Sequence, residues 1–322
     1  MTRTILLGFE PDELTANQRA QIEALAPNHN LLVTTDRRRI EQTLDEIEIA
    51  VRRFPTELFT HAPNLRWFQQ WGAGADWLLK HPEVATSDLV VTSGSGIHAI
   101  PISEHILALI LALGRGLHTA IRHQAQHKWQ SPTDWGTLFE LPGKTMLLVG
   151  VGAIGERTAA IASALGMRVL GVRRDATVGA AGVAAMHPPE ALLDLLPEAD
   201  FVVLTAPLTP ETRHLIGERE LRAMKPSAYL VNIGRGGTVD EPALTAALRQ
   251  GRVAGAGLDV VAQEPLPPDS PLWEMPNVII TAHYAGATPH YDERAMPIFL
   301  ENLRRYLAGE PLQNVVDKML GY

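Results

Sequence analysis

Short apolar runs rich in Val, Ile and Leu recur along the chain, separated by stretches in which apolar and polar positions mix with a helical period. Over residues 1–98 the runs at Thr4–Gly8, Leu31–Thr35, Ile47–Val51, Leu65–Trp71 and Leu89–Ser93 predict strands. Pro11–Ala26 and Arg37–Leu44 predict helices between them. Such alternation argues for a parallel, doubly wound α/β sheet. Pro101–Arg122 predicts one long helix, with Pro101 suited to a first turn and Glu104 supporting that end electrostatically. A second alternation begins at Met146. It predicts strands at 146–150, 168–173, 200–205, 229–234, 253–258 and 277–281, a Pro-rich loop at Glu264–Pro271 and a closing helix at Arg294–Ala308. Two such sheets imply a cleft between them, and ligands of open α/β sheets sit at the carboxyl ends of strands.

The apolar run Met146–Val149 leads into Gly150-Val-Gly152-Ala-Ile-Gly155, and Glu156–Leu165 then reads as a helix. A dinucleotide site needs this order. Its first glycine makes the tight turn, its second lets backbone approach a pyrophosphate, and its third permits close helix–strand packing. The next strand ends in Arg173 and Arg174, where an NAD site usually carries an acid for the ribose 2′-hydroxyl. Two arginines there would clamp a 2′-phosphate by charge-assisted hydrogen bonds, which favours NADP over NAD. Asp175 follows, and a slip of two residues would restore the acid.

The length of 322 residues suits two domains, and an apolar content of 46% is ample for their cores. A net charge of −8 does not favour a nucleic-acid surface. With no cysteine, there is no disulfide frame, thiolate zinc site or cysteine nucleophile. The chain enters a strand at once, too early for a signal peptide, and the run Ile106–Leu113 is too short to span a bilayer. A soluble cytoplasmic protein is expected.

Three polar residues follow predicted strand ends in the second half: Arg235, Glu264 and His283. A histidine can protonate a carbonyl oxygen as hydride reaches the carbon. A nearby carboxylate would orient the imidazole and favour its charged form. An arginine can hold a substrate carboxylate through its planar fork. Each, taken alone, could equally be a loop-end ion or hydrogen-bonding group.

With these residues the chain resembles the D-isomer-specific 2-hydroxyacid dehydrogenase family. The carrying segments are Gly150–Gly155, Thr205-Ala-Pro-Leu-Thr-Pro-Glu-Thr212, Asn232-Ile-Gly-Arg-Gly-Gly237, Gly257-Leu-Asp-Val-Val-Ala-Gln-Glu-Pro265 and Thr281-Ala-His-Tyr-Ala-Gly286. Gly72-Ala-Gly-Ala-Asp76 and Glu104 extend the match into the first half. The resemblance implies a flavodoxin-like substrate domain, 1–99 completed by 288–322, and a Rossmann dinucleotide-binding domain, 100–287. It makes His283 the acid/base, Glu264 its partner and Arg235 the substrate-binding cation. It places the backbone N–H groups of Ala73 and Gly74, with Arg235 and His283, around the substrate. Around the cofactor it places Gly150, Gly152, Ala153, Ile154, Gly155, Arg173, Arg174, Ala206, Pro207, Thr212, Ile233, Gly234, Arg235, Asp259 and His283. A homodimer is the expected assembly.

The chain departs from the family pattern at Arg173, at Tyr284 beside His283, and at Trp71 before Gly72. Trp71 and Tyr284 are candidates to line the substrate pocket or, equally, ordinary packing residues. Trp67 and Trp77 read as core, and His98 and His105 as structural. His118, His123 and His127 suggest helical spacing, but without neighbouring carboxylates or cysteines they read as a solvated face and not a metal site.

The leading expectation is an NADPH-dependent reductase of small 2-oxo acids, glyoxylate and hydroxypyruvate foremost, with NAD as a weaker alternative cofactor. Glu264 counts against formate oxidation, because formate dehydrogenases of this fold pair the histidine with Gln. A phosphoglycerate-type dehydrogenase is a further alternative, although the chain ends soon after the closing helix and leaves no room for an appended regulatory domain. A dinucleotide-sensing corepressor is the alternative outside catalysis. Neither nucleic acid nor membrane is an expected partner.

Overall fold

The structure, a computed structural model, describes residues 3–131 and 138–322. In chain order its elements are β1 (Arg3–Leu7), α1 (Ala16–Leu25), β2 (His29–Val33), α2 (Arg37–Gln42), β3 (Ile47–Val51), β4 (Trp67–Gln69), α3 (Pro82–Ala85) and β5 (Val90–Thr92). Then come α4 (Ala99–Gly114), α5 (Leu117–Ala125), β6 (Thr145–Val149), α6 (Ala153–Ala164), β7 (Arg168–Val172), β8 (Ala185–His187), α7 (Leu192–Leu195) and β9 (Phe201–Leu204). The chain closes with α8 (Glu218–Ala223), β10 (Tyr229–Asn232), α9 (Glu241–Arg249), β11 (Gly255–Leu258), β12 (Val278–Ile280) and α10 (Tyr291–Ala308). It divides into two units, Met1–Ile97 with Thr288–Tyr322, and His98–Ala287.

The first unit is a five-stranded parallel sheet in the order β2-β1-β3-β4-β5, the flavodoxin-like arrangement. Alternate residues of β1 feed two cores. Leu6 packs with Ile40, Ala50 and Phe68, whereas Ile5 and Leu7 pack with Trp67 and with Phe299 and Leu303 of α10. Burial on both faces is why these strands read as continuous apolar runs. The pattern predicts a helix from Pro11, but α1 begins at Ala16. Thr15 closes a capping box there, its hydroxyl accepting from Gln18 N–H at 3.2 Å while its own N–H donates to Gln18 Oε1 at 2.9 Å.

The second unit is a seven-stranded parallel sheet in the order β12-β11-β10-β9-β6-β7-β8. In β6, Leu147 and Val149 enter one core and Met146 and Leu148 the other. From β6 the chain winds outward through β7 to β8, then returns to lay β9 on the other side of β6. That reversal sets a ligand site at the carboxyl ends of β6 and β9. Strand β8 and helix α8 are short, at three and six residues, while α9 buries Leu244, Ala247 and Leu248 on one face.

The long helix predicted over Pro101–Arg122 is two helices, α4 and α5, bent by 71°. Gly116 lies between them in the left-handed region at φ 64°, where a helix cannot continue. Glu104 is the sixth residue of α4, beyond its first turn, so the expected electrostatic support at that end is not provided. His123 lies in α5 but His127 lies beyond its end at φ 55°, so the two do not form an i,i+4 helical pair. No single described helix is long and apolar enough to cross a membrane. Ile102, Ile106, Leu109 and Ile110 of α4 are buried in the core of the second unit.

Candidate active site

The glycine loop follows β6 at the point where the second sheet reverses. Gly150 has φ 96°, and a Cβ there would lie 2.6 Å from Ala206 N, so only glycine fits both the turn and the contact. The hydroxyl of Thr205 at the end of β9 donates to Gly150 O and ties the two strand ends together. A Cβ on Gly155 would lie 2.5 Å from Gly150 O, so the third glycine seats α6 against the turn. Gly152 differs: a Cβ there would meet nothing. Gly152 and Ala153 are exposed, and no side chain caps the first N–H groups of α6. Ile154 is half-buried. This cradle fits a pyrophosphate.

Arg173 follows β7, its backbone N–H donating to His187 O of β8 at 3.1 Å, and Arg174 is exposed beside it. Asp175 bonds within its own turn. Its Oδ1 accepts from Thr177 N at 3.1 Å and Thr177 Oγ1 at 2.5 Å, bonds that hold its carboxyl below the ordinary value, with Arg173 a lesser cause. Glu211 is likewise held down, first by Thr209, whose hydroxyl donates to it at 2.7 Å, and also by Arg174. Ala206 is buried and Pro207 exposed, and the Thr212 hydroxyl braces their loop by donating to Pro207 O at 2.7 Å.

Arg235 follows β10. Buried Asn232 organises that turn, its side chain accepting from Gly234 N at 3.1 Å and donating to Arg235 O at 3.0 Å. Thr238 Oγ1 donates to the same carbonyl at 2.7 Å. The Arg235 guanidinium donates to Gly234 O at 2.8 Å, Ile233 is buried, and a Cβ on Gly234 would strike Ala206 O at 2.6 Å. Asn232 opens one of the family segments without an assigned role, and its signal is a polar residue closing a buried apolar strand.

His283 and Glu264 meet although 19 residues separate them. Nδ1 of His283 lies 2.6 Å from Oε2 of Glu264, and Glu264 Oε1 accepts from Val261 N at 3.2 Å. An ionised carboxylate only accepts, so Nδ1 carries the proton and Nε2 is left for chemistry. The side chains are 49% and 37% exposed. His283 sits at φ 54°, an arrangement costing a non-glycine residue about 1–2 kcal/mol.

Asp259, at the end of β11, holds that conformation. Its backbone carbonyl accepts from His283 N at 2.8 Å. Its buried carboxylate accepts from Thr281 Oγ1 at 2.6 Å, Tyr284 N at 3.1 Å and Ala285 N at 3.1 Å. The resemblance assigns Asp259 to the cofactor, yet these bonds all run to the 281–285 loop.

In the first unit, the loop carrying Ala73 and Gly74 follows β4. The side-chain amide of Gln70 donates to Gly72 O at 3.1 Å and to Gly74 O, and the indole of Trp77 donates to Gln70 Oε1 at 2.6 Å. Because a trans peptide opposes its C=O and N–H, the Ala73 N–H points away from Gln70. Trp77 is thus a brace for this loop as well as a packing residue. Trp71 is 5% exposed, its indole donating to Asp292 at 2.7 Å and its ring meeting Phe9 edge-on, which is the packing alternative for this residue. Tyr284 is 54% exposed. Trp67 is fully buried and donates to Thr92 at 2.7 Å. No cluster of three metal-ligating side chains occurs among the described residues.

A reversing parallel sheet with an open glycine cradle at the reversal, and a His–Glu pair after neighbouring strands, defines a dinucleotide-dependent oxidoreductase. Comparison with known proteins narrows the class. Residues 107–285 match the NAD binding domain of D-isomer specific 2-hydroxyacid dehydrogenases. A glyoxylate reductase from Korarchaeum cryptofilum is 38% identical over 81% of this chain and 79% of its own. A D-3-phosphoglycerate dehydrogenase from Mycobacterium leprae is 37% identical over 88% of this chain but only 53% of its own. The crystal structure of an NADPH-dependent glyoxylate/hydroxypyruvate reductase from Sinorhizobium meliloti, in complex with NADP and sulfate, superposes with a TM-score of 0.83 at 28% identity, covering 100% of both chains. The chain belongs to the D-isomer specific 2-hydroxyacid dehydrogenase family.

Proposed function

We propose that this protein reduces small 2-oxo acids to D-2-hydroxy acids with NADPH, glyoxylate and hydroxypyruvate being the first substrates to test. The observation that carries the reading is the 2.6 Å contact between His283 Nδ1 and Glu264 Oε2, which orients Nε2 as a proton donor. The reductase relatives support the choice of substrate class.

In this reading the glycine cradle at Gly150–Gly155, with Ala206, Pro207, Thr212, Ile233 and Gly234 around it, holds the dinucleotide. Arg173 and Arg174 take its 2′-phosphate, while Asp175 is held through its Oδ1 by Thr177. When bound, the reduced nicotinamide supplies the hydride. Protonated His283 gives its Nε2 proton to the substrate's carbonyl oxygen, and Glu264 stabilises the imidazolium until then. Arg235 holds the carboxylate and the oxygen on which charge develops. The backbone N–H of Ala73, oriented by Gln70, and that of Gly74 are donors for a substrate carboxylate. Tyr284 lines the substrate's surroundings.

The same reading takes the protein to be a cytoplasmic homodimer. Leu117 and Ile121 of α5, and Trp129 beyond it, are apolar and at least half exposed, which supports a self-association surface.

The test is a panel of glyoxylate, hydroxypyruvate and pyruvate with NADPH and NADH, together with 3-phosphoglycerate and the oxidised cofactors. Reduction of a small 2-oxo acid with NADPH is expected. Turnover confined to 3-phosphoglycerate would replace this reading with a phosphoglycerate dehydrogenase. Cofactor binding without any turnover would leave the sensor alternative.

A further inference from the structure

His105 on α4 is 176 residues from Thr281, yet its Nε2 lies 2.9 Å from the Thr281 hydroxyl oxygen. The direction of that bond follows from its neighbour. Thr281 has one hydroxyl proton, and it goes to Asp259 Oδ1 at 2.6 Å. Nε2 of His105 is therefore the donor to Thr281. His105 Nε2 also lies 3.9 Å from Asp259 Oδ1, and the His105 ring meets Tyr284 edge-on with centroids 5.6 Å apart. Thus His105 touches two residues of the 281–285 loop, one on each side of His283, and approaches the carboxylate that gathers the loop's N–H groups. It makes no contact with the His283–Glu264 pair itself among the contacts described.

We propose that His105 is a positioning residue for His283: its Nε2–H fixes the Thr281 hydroxyl on Asp259, and so holds the loop that aims the His283 imidazole. This rests on the reductase reading for the role of His283, but the link from His105 to the loop does not. Burial holds the His105 imidazole below its ordinary range, against the pull of Asp259, which keeps the ring a neutral donor near neutral pH. Without that donor, the Thr281 hydroxyl is held by its bond to Asp259 alone. The 281–285 loop then has one constraint fewer, and His283 can leave the left-handed conformation that its neighbours impose.

The test compares His105→Phe, which fills the space without a donor, His105→Gln, which restores one, and Thr281→Val, which removes the middle of the chain. Readouts are kcat, the dinucleotide Kd from tryptophan fluorescence, the melting temperature, and hydrogen exchange at the amides of His283, Tyr284 and Ala285. In His105→Phe, kcat is expected to fall about ten- to a hundredfold, the usual consequence of a small misplacement of a reacting group. Dinucleotide Kd should stay within about threefold, and protection of the three amides should fall about tenfold, because they bond to Asp259. His105→Gln should recover most of both. His105→Phe with Thr281→Val should be little worse than either alone, because the two act in one chain.

An unchanged exchange pattern in His105→Phe would overturn the proposal whatever the substrate. So would additive effects of the two substitutions, or a general loss of melting temperature and Kd that Gln fails to restore. Absence of turnover in the wild-type protein would instead sink the reductase reading, and the exchange measurement would still decide the link.

Discussion

His283 and Glu264 form a 2.6 Å Nδ1–Oε2 contact between loops that follow different strands. His283→Ala should lower kcat by about 10²–10⁴-fold, the usual contribution of a general acid, without abolishing dinucleotide binding. In Glu264→Gln the bond persists without charge. A charge-assisted bond contributes about 1.5–3 kcal/mol and a neutral one about 0.5–1.5, so the difference of about 1–1.5 kcal/mol should lower kcat roughly five- to fifteenfold. Steady-state kinetics on both variants checks this. Full activity in His283→Ala would remove the proposed role.

Arg235 is tested by Arg235→Lys. Lysine keeps the charge and loses the planar fork. If the fork binds the oxo acid, kcat/KM should fall by about two orders of magnitude, since the lost contacts include those to developing charge. Near wild-type kcat/KM in the Lys variant would exclude forked binding.

Cofactor choice is tested at Arg173. The wild-type protein should prefer NADPH by about one to three orders of magnitude in kcat/KM, as partial exposure and salt reduce the contribution of each arginine contact. Raising ionic strength should narrow the preference. Arg173→Asp should weaken NADPH strongly and improve NADH modestly, because an acid can accept from ribose hydroxyls. A wild-type preference for NADH would refute the arginine clamp.

The stability of the second unit should carry a pH dependence from His105. Burial lowers its folded-state pKa below the ordinary 6.5, so the unfolded chain binds more protons in the window below 6.5. The stabilisation linked to a neutral His105 is therefore present above pH 6.5 and is lost as pH falls toward the folded value. Chemical denaturation of wild type and His105→Phe between pH 5 and 8 checks this. The difference in stability between the two should change below about 6.5 and be flat above it. A difference that changes only above 7 would contradict the sign.

What the sequence determined by itself was local. The apolar runs announced the strands, because a parallel strand covered on both faces must be apolar along its length. Gly150–Gly155 was legible because its glycines answer steric demands within a single turn and the helix that follows. Arg235, Glu264 and His283 were visible as polar residues following strand ends, and the family motifs brought them together on paper. Element bounds were less legible. Thr15 moves the start of α1, and Gly116 breaks the helix predicted over Pro101–Arg122, through a cap and a left-handed turn that apolar periodicity does not register.

Only the tertiary structure decided which polar residues support the site. Asn232 and Gln70 gave no periodic signal, because their partners are backbone carbonyls and N–H groups placed by the turns after β10 and β4. Asp175 reads as a possible ribose ligand, and folding places one of its carboxylate oxygens on Thr177. His105 and Asp259 read as a structural histidine and a cofactor contact. Folding brings both to Thr281, because α4 packs on the sheet whose strands β11 and β12 are followed directly by Asp259 and Thr281. Spacing along a chain encodes side-chain direction within one element. The direction of a hydrogen bond between elements depends on how those elements pack, and that is set by burial across the whole unit.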